Sequence, residues 1–503
     1  MGLNRRTLAL AAAATALASA ARSEPAPLEV EAERYRPVIH FAPPEGFMND
    51  PNGLIHHDGE WHLFYQYNPF EPKSGRVYWG HAVSRDLLHW QGLPLVLDET
   101  PAGAPFSGSA VFDAHNTSGL FAPGQPGLVA VYTRASPGHQ RQEIALSADR
   151  GRSFTGYAGN PVLDRGTNSF RDPKVFWHAP ARRWLMAVAA SRERQVLFYA
   201  SADLKRWQEV GRFGDASVSG NDWECPNLVR LPVEGGGMRW VLFVSVGPDA
   251  SQDGGAVRYF VGEFDGRHFT ADDAAARFAD FGPDFYAMQT YSDPPGDKPV
   301  AIAWASNWLY CNDVPTGSWR GVMSLPRLLS LRRSTDGWRL VQGFVPLGPI
   351  RGAMIPATMR AGLSGRLATA ALPPGAAIEL QVRLRLDARA VAALRFVNGV
   401  GEALALGYDQ DAARLFVDRG GAHGFANPLF TSTFATARRP GARDVDLHLV
   451  LDRCTLEVIG LQGEAAGTFL HFFAKMPDRL VIEATGSVQI SFFELRRLVA
   501  APH

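Results

Sequence analysis

Residues 47–55 read FMNDPNGLI, residues 170–177 read FRDPKVFW and residues 223–231 read WECPNLVRL. Each places an acidic residue (Asp50, Asp172, Glu224) just before a short apolar run with the character of a buried strand. Each acid is followed within two residues by a proline, which stops the chain from pairing any earlier. On a radial scaffold the three carboxyl groups would meet on one axis. Carboxylates gathered in a cleft are costly to hold together, so they mark chemistry rather than packing.

The radial scaffold is read from a repeat. A strand ending in Ser-x-Asp recurs, with an aromatic residue three to five positions on: Ser84-Arg85-Asp86 then Trp90, Ser147-Ala148-Asp149 then Phe154, Ser201-Ala202-Asp203 then Trp207. Glu263-Phe264-Asp265, leading to Phe269, is a weaker copy. The aspartates lie 54 to 63 residues apart. A period near 60 with several strands per unit and no helical periodicity reads as a β-propeller. Units begin near Asp50, Ser109, Asp172, Glu224 and Asp284, which makes five blades. First strands of blades line the central channel and run the same way, so their leading ends converge at one mouth. The stretch Pro37–Ala42 is expected to be a strand that pairs into the last blade and closes the ring.

The repeat fades after Leu340, and Val345–Met354, rich in Pro and Gly, reads as a linker. Beyond it come Ile378–Leu386, Ala403–Tyr408, Arg414–Asp418, Val445–Leu451, Thr455–Ile459, Phe469–Phe473, Leu480–Glu483 and Val488–Phe493, separated by turn signals such as Gly420-Gly421. Eight short strands over some 150 residues suggest a β-sandwich that packs against the propeller. The expected fold class is all-β, with a leader over residues 1–26, a propeller over 36–346 and a sandwich over 355–500.

Composition agrees with an ordinary two-domain globular chain of 503 residues: 46% hydrophobic and 20% charged. Lys plus Arg equal Asp plus Glu at 50 each, so nothing argues for a nucleic-acid or membrane-surface partner. Arg5 and Arg6 precede an apolar run, Thr7–Ala18, and the small residues Ala18-Ser19-Ala20. This reads as an export signal, and NRRTLAL resembles its twin-arginine form. The run falls short of a membrane span, and no later stretch is long and apolar enough for one. Export implies a periplasmic or secreted protein. Three cysteines, Cys225, Cys311 and Cys454, allow at most one disulfide and match no zinc spacing. Nothing in the chain sets an oligomeric state.

Taken singly, each motif has a structural reading. NDPNG is a good β-turn, Arg171-Asp172 a surface pair and Glu224 a turn or cap residue. The shared position of the three acids, with polar and aromatic company, lifts them above that. Trp79, Phe106, Ser107 and Trp308 lie near strand ends facing the same mouth, and the Gln66 amide can both donate to and accept from hydroxyls. His40 and His81 read as structural, and His56-His57 as a solvated hairpin rather than a metal site.

In order along the chain, FMNDPNG, YQYNP, WGHAVSRDLLHW, FSGSAV, FRDPKVFW, WECPNL, GPDFYAMQT and GVMSLPR resemble glycoside hydrolase family 32, the invertases, inulinases and levanases, over about Pro37–Pro346. The resemblance implies a five-bladed propeller followed by a sandwich. The sandwich matches more loosely: LDRCTLEVIG has Cys454 where serine is common. Carried over by motif, Asp50 resembles the nucleophile, Glu224 the general acid/base and Asp172 the transition-state stabiliser. Asn49, Gln66, Trp79, Phe106, Ser107, Arg171, Cys225 and Trp308 resemble residues that hold the terminal fructose. Phe47 stands where many relatives carry Trp, and Asn227 where Asp is frequent. The implied activity is exo-acting, retaining hydrolysis of sucrose or fructan, with no metal or organic cofactor in any step. Fructosyl transfer on the same scaffold, an inverting hydrolase of related fold, and an inactive fructan-binding propeller are the alternatives.

Overall fold

The computed structural model describes residues 33–500 apart from 217, 219, 249–254, 274 and 439–442. The leader reading for residues 1–26 lies outside the described residues. Among them no helix is long and apolar enough to cross a membrane.

The first two-thirds form five antiparallel sheets arranged as propeller blades. Their innermost strands are Gly46–His57, Ala104–Asp113, Phe170–His178, Trp223–Pro232 and Tyr286–Thr290, which agrees with the repeat starts. Each pairs with the next strand in sequence, in up-and-down order, except that the last blade inserts residues 305–326 between its second and third strands. Blades pack on both faces, so their central strands are apolar throughout rather than alternating. Arg183–Ala190 (RWLMAVAA) is buried from its second residue onward. Leu185, Phe198, Leu242 and Phe260 interlock blades three and four, and Val241, Tyr259, Ala303 and Leu329 interlock four and five.

The Ser-x-Asp repeat is a loop device. The Asp86 carboxylate accepts from the backbone N–H groups of Leu88 and His89 (3.0 and 2.9 Å), and Asp203 does the same for Lys205 and Arg206 (3.0 and 2.9 Å). Each caps the turn from third to fourth strand with an Asx-type bond.

Ring closure differs from expectation. Pro37–Ala42 is not a strand; the N–H groups of Val38 and Ile39 are taken by the sandwich carboxylate Asp452 (2.8 and 3.0 Å). The ring closes through Trp319–Arg320, which pairs parallel with Gly46 and Phe47. Val345–Met354 is not a plain linker either. It holds a 3-10 turn, Gly348–Ile350, and a strand, Arg351–Met354, that pairs with Val488–Leu498.

Two sheets of six and seven strands face each other beyond it. Alternation builds their core: in Ala377–Leu386, Leu380, Val382, Leu384 and Leu386 point inward. The expected Phe469–Phe473 strand runs Ala465–Leu470, and Gly365–Ala371, Val391–Val397 and Thr433–Ala435 are strands that the pattern had not marked.

Buried charges join the two domains. The Arg327 guanidinium donates to Asp280 Oδ2 (2.8 Å), Glu457 Oε2 (2.6 Å) and Thr468 Oγ1 (2.6 Å). His40 bridges Glu457 Oε1 (3.0 Å) and Asp452 Oδ2 (2.9 Å). Arg419 pairs with Asp284 (2.7 Å), so Asp284 is a tether to the sandwich rather than a channel carboxylate. Burial favours the neutral His40 ring, but hydrogen bonds to Asp452 and Glu457 outweigh it and raise its pKa from 6.5 to about 9. A raised pKa in the folded state stabilises below the unfolded value and loses that contribution as pH rises through the folded one. Thermal unfolding should therefore show wild-type stability falling between pH 6.5 and 9, with the slope shallower in His40→Gln. Equal slopes would rule out an interface-held imidazolium.

Candidate active site

The same irregularity occurs once near the head of each innermost strand. Between Met48 and Pro51, Pro105 and Gly108, Arg171 and Lys174, Glu224 and Asn227, and Tyr286 and Gln289, three residue steps oppose two on the neighbouring strand. Each is a β-bulge, which bends the strand and re-aims side chains. Asp172, Cys225 and Ala287 lie inside these bulges at φ of 66°, 46° and 51°, the left-handed region. Pro173 and Pro226 occupy positions where the ladder is interrupted, so their missing N–H costs no pairing. The bulge also lets neighbours in sequence, which a flat strand would send to opposite faces, turn toward one well.

The three acids do not share one register position. Glu224 is the last paired residue before its bulge, Asp172 is one residue into its own, and Asp50 is two residues into its own. They nevertheless converge. The Cys225 thiol lies 3.6 Å from Asp50 Oδ2 and 3.7 Å from Asp172 Oδ2, and the Cys225 N–H donates to Asp172 Oδ2 (3.0 Å). Arg171 Nε donates to Glu224 Oε1 (3.0 Å), while its Nη2 holds Asp222 Oδ2 (2.7 Å).

Asp50 is fixed from the blade-one side. Asn49 Nδ2 donates to Asp50 Oδ1 (3.0 Å) and to Gln66 Oε1 (2.9 Å). Ser107 Oγ donates to Asp50 Oδ2 (2.6 Å) and accepts from Gln66 Nε2. Trp79 is 1% exposed and sits behind the well, where its indole N–H holds the Phe106 carbonyl (3.1 Å). Trp308 is half-buried on the far rim, 6.3 Å from the Phe47 ring centroid. Asn49, Gln66, Ser107, Arg171 and Cys225 thus stand within one hydrogen-bonded set with the acids, while Trp79, Phe106 and Trp308 frame it.

Family models match most of the chain: the glycosyl hydrolases family 32 N-terminal domain over residues 40–343 and the family 32 C-terminal domain over 357–496. The chain belongs to glycosyl hydrolase family 32. Among its relatives are a levanase of Bacillus subtilis (41% identical over 472 residues, 89% of this chain and 67% of that one) and an extracellular exo-inulinase of Meyerozyma guilliermondii (36% over 468 residues, 88% and 90%). Among solved structures, the fructofuranosidase of Schwanniomyces occidentalis complexed with fructose superposes with a TM-score of 0.87 at 33% identity, covering 93% of this chain and 99% of that one.

This family 32 site contains groups that its sequence motifs did not single out. Tyr286 holds the register position in blade five that Glu224 holds in blade four, and its hydroxyl donates to Glu224 Oε2 (2.5 Å). The Thr133 hydroxyl accepts from the Asp172 N–H (2.9 Å), and Gln289 Nε2 donates to the Cys225 carbonyl (3.2 Å). Aligning the five blade heads would have found Tyr286, since GPDFYAMQT opens blade five; Thr133 and Gln289 carry no local signal.

Electrostatics follow from desolvation. Burial pushes Asp50 up to about 6 against the Ser107 hydrogen bond, and the Glu224 charge adds to the rise. Burial and Glu224 push Asp172 up to about 7, with Arg171 opposing. Burial and the neighbouring carboxylates raise Cys225 and Tyr286 far above their usual range, so both remain protonated donors. Glu224 is the most open of the three acids, its side chain 25% exposed.

A carboxyl whose folded pKa is raised costs stability when ionised, and the cost vanishes once pH falls below the unfolded value. Asp172→Asn should therefore melt higher than wild type at pH 8, by ~1 kcal/mol or more of stability, with the gain fading toward pH 4. A variant less stable than wild type at pH 8 would contradict a desolvated, ionised Asp172.

Proposed function

We propose that this chain removes terminal β-fructofuranosyl units from sucrose and fructans by a retaining double displacement. The observation that carries the reading is a buried carboxylate, Asp50, and a more open one, Glu224, facing a shared well that also holds Asp172. Family membership and the fructose-complexed relative support it.

Asp50 Oδ2 lies within reach of Ser107, Gln66 and Cys225, whereas among the described residues Oδ1 takes only the Asn49 amide, so Oδ1 is the freer nucleophile. It attacks the anomeric carbon as the glycosidic C–O bond breaks, and Glu224 gives its proton to the leaving oxygen. Tyr286 and Arg171 donate to opposite oxygens of Glu224, which fixes the orientation of its carboxyl plane. Asp172 accepts hydrogen bonds from fructose hydroxyls and stabilises the positive charge that develops on the ring. A water molecule then attacks the fructosyl ester while Glu224 takes its proton, which frees Asp50 and restores the acid. Double displacement calls for the ~5–5.5 Å carboxyl separation of retaining enzymes between Asp50 and Glu224.

Export completes the proposal. It rests on the Thr7–Ala18 run, the small residues that follow it and the extracellular relative.

NMR of the first product from sucrose should show the β-anomer; the α-anomer would refute retention. Asp50→Asn should fold normally and lose at least ~10³-fold in kcat. Near-normal turnover by the folded variant would reject Asp50 as nucleophile. Comparing rates on sucrose, inulin and levan, with product sizes, fixes the substrate preference.

A further inference from the structure

Residues 69–77 join the second and third strands of blade one on the mouth side of the propeller. Asn68 pairs with Phe47 and Tyr67 with Tyr78, so this loop leaves and returns beside the well. Its most prominent feature is Phe70, 64% exposed.

An aromatic ring left in water on a loose loop would mean little, but this loop is held at both ends and in its middle. Asn68 Nδ2 donates to the Lys73 carbonyl (2.9 Å), and the Phe70 N–H donates to Asn68 Oδ1 (3.2 Å). Ser74 and Asn312 exchange two bonds (2.8 and 2.9 Å), and Arg320 donates to the Pro72 carbonyl, which ties the loop to the blade-five insertion that carries Trp308.

The ring itself is braced. The Arg76 guanidinium sits 4.7 Å from the Phe70 centroid, and Tyr78 meets it edge-on at 5.6 Å. Arg76 is in turn held by the Tyr78 hydroxyl (2.8 Å) and Glu99 (2.9 Å). The cation covers one side of the ring, and at 64% exposure the rest of its apolar surface is open on this mouth-side loop.

Position decides what that surface meets. Phe70 is four residues beyond Gln66, whose amide lies 3.4 Å from Asp50, so the two backbones are at most ~14 Å apart. Its ring packs on Arg76 and Tyr78 rather than on the hydrogen-bonded set at Asp50, so it stands outside the unit being cleaved and within reach of the chain that leaves. We infer that Phe70, braced by Arg76 and Tyr78, is a specificity-determining platform that stacks a sugar ring of the leaving fructan, beyond the unit next to the scissile bond. The inference rests on the fructosidase reading above. Apolar ring surface against the C–H face of a sugar needs no charge and tolerates either fructan linkage. It offers little to sucrose, whose single leaving ring lies nearer the well.

The test is steady-state kinetics on sucrose and on the tetrasaccharide nystose, for wild type, Phe70→Ala and Phe70→Trp. Phe70→Ala should lower the nystose-to-sucrose ratio of kcat/KM by ~5–10-fold, chiefly through a higher KM for nystose, because distal binding is lost without touching the reacting groups. Phe70→Trp should keep the wild-type ratio. An unchanged ratio in Phe70→Ala, or an equal fall on both sugars, overturns the platform. Failure of the underlying activity would show separately, as wild-type protein that releases fructose from neither sugar.

Discussion

One backbone constraint underlies the site: an extra residue inserted at the same height in all five innermost strands. A regular strand alternates its side chains, so Arg171 could not face the well together with Asp172, nor Glu224 with Cys225. The bulges lift that restriction five times around one axis. They are not free. Left-handed backbone at a residue other than glycine costs on the order of 1–3 kcal/mol, and Asp172, Cys225 and Ala287 each adopt it. Such strain persists because the surroundings over-determine it. The Asp172 N–H has the Thr133 hydroxyl as partner, and the Cys225 N–H has the Asp172 carboxylate.

Charge imposes the second tension. Three carboxyls share a desolvated well with one guanidinium, Arg171, which is itself divided between Asp222 and Glu224. The balance leaves the set short of positive charge, so burial and the Glu224 charge carry Asp50 up to about 6 and Asp172 up to about 7. Neutral donors make up the difference at Asp50, where Asn49, Ser107 and the Cys225 thiol supply hydrogen bonds without adding charge. The sandwich contributes from a distance. Its Arg419 and Glu457 bind Asp284 and Arg327 on either side of the blade-five strands that present Tyr286.

Much of this was legible in the chain. The period of the Ser-x-Asp turns reflects a local hydrogen bond repeated with each blade, and local signals survive in sequence. The convergence of Asp50, Asp172 and Glu224 followed from that period. Register did not, because a bulge is defined by the partner strand; the acids proved offset by one residue each, and Tyr286 escaped notice at the equivalent place in blade five. Ring closure escaped for the same reason, since Trp319–Arg320 is two residues long and gains its meaning only beside Gly46. Asp284 shares the spacing of a blade head, but its partner Arg419 lies 135 residues away, a distance that no local pattern spans. Gly365–Ala371 was passed over because its alanines carry little strand preference.

On this reading the five bulges aim three acids at a single sugar ring. The direct measurement is a crystal structure of the Glu224→Gln variant soaked with sucrose. The anomeric carbon should lie against Asp50 Oδ1, the bridging oxygen beside residue 224 and the ring hydroxyls on Asp172. A fructosyl ring bound elsewhere, or one that leaves any of these three positions without contact, would contradict the account.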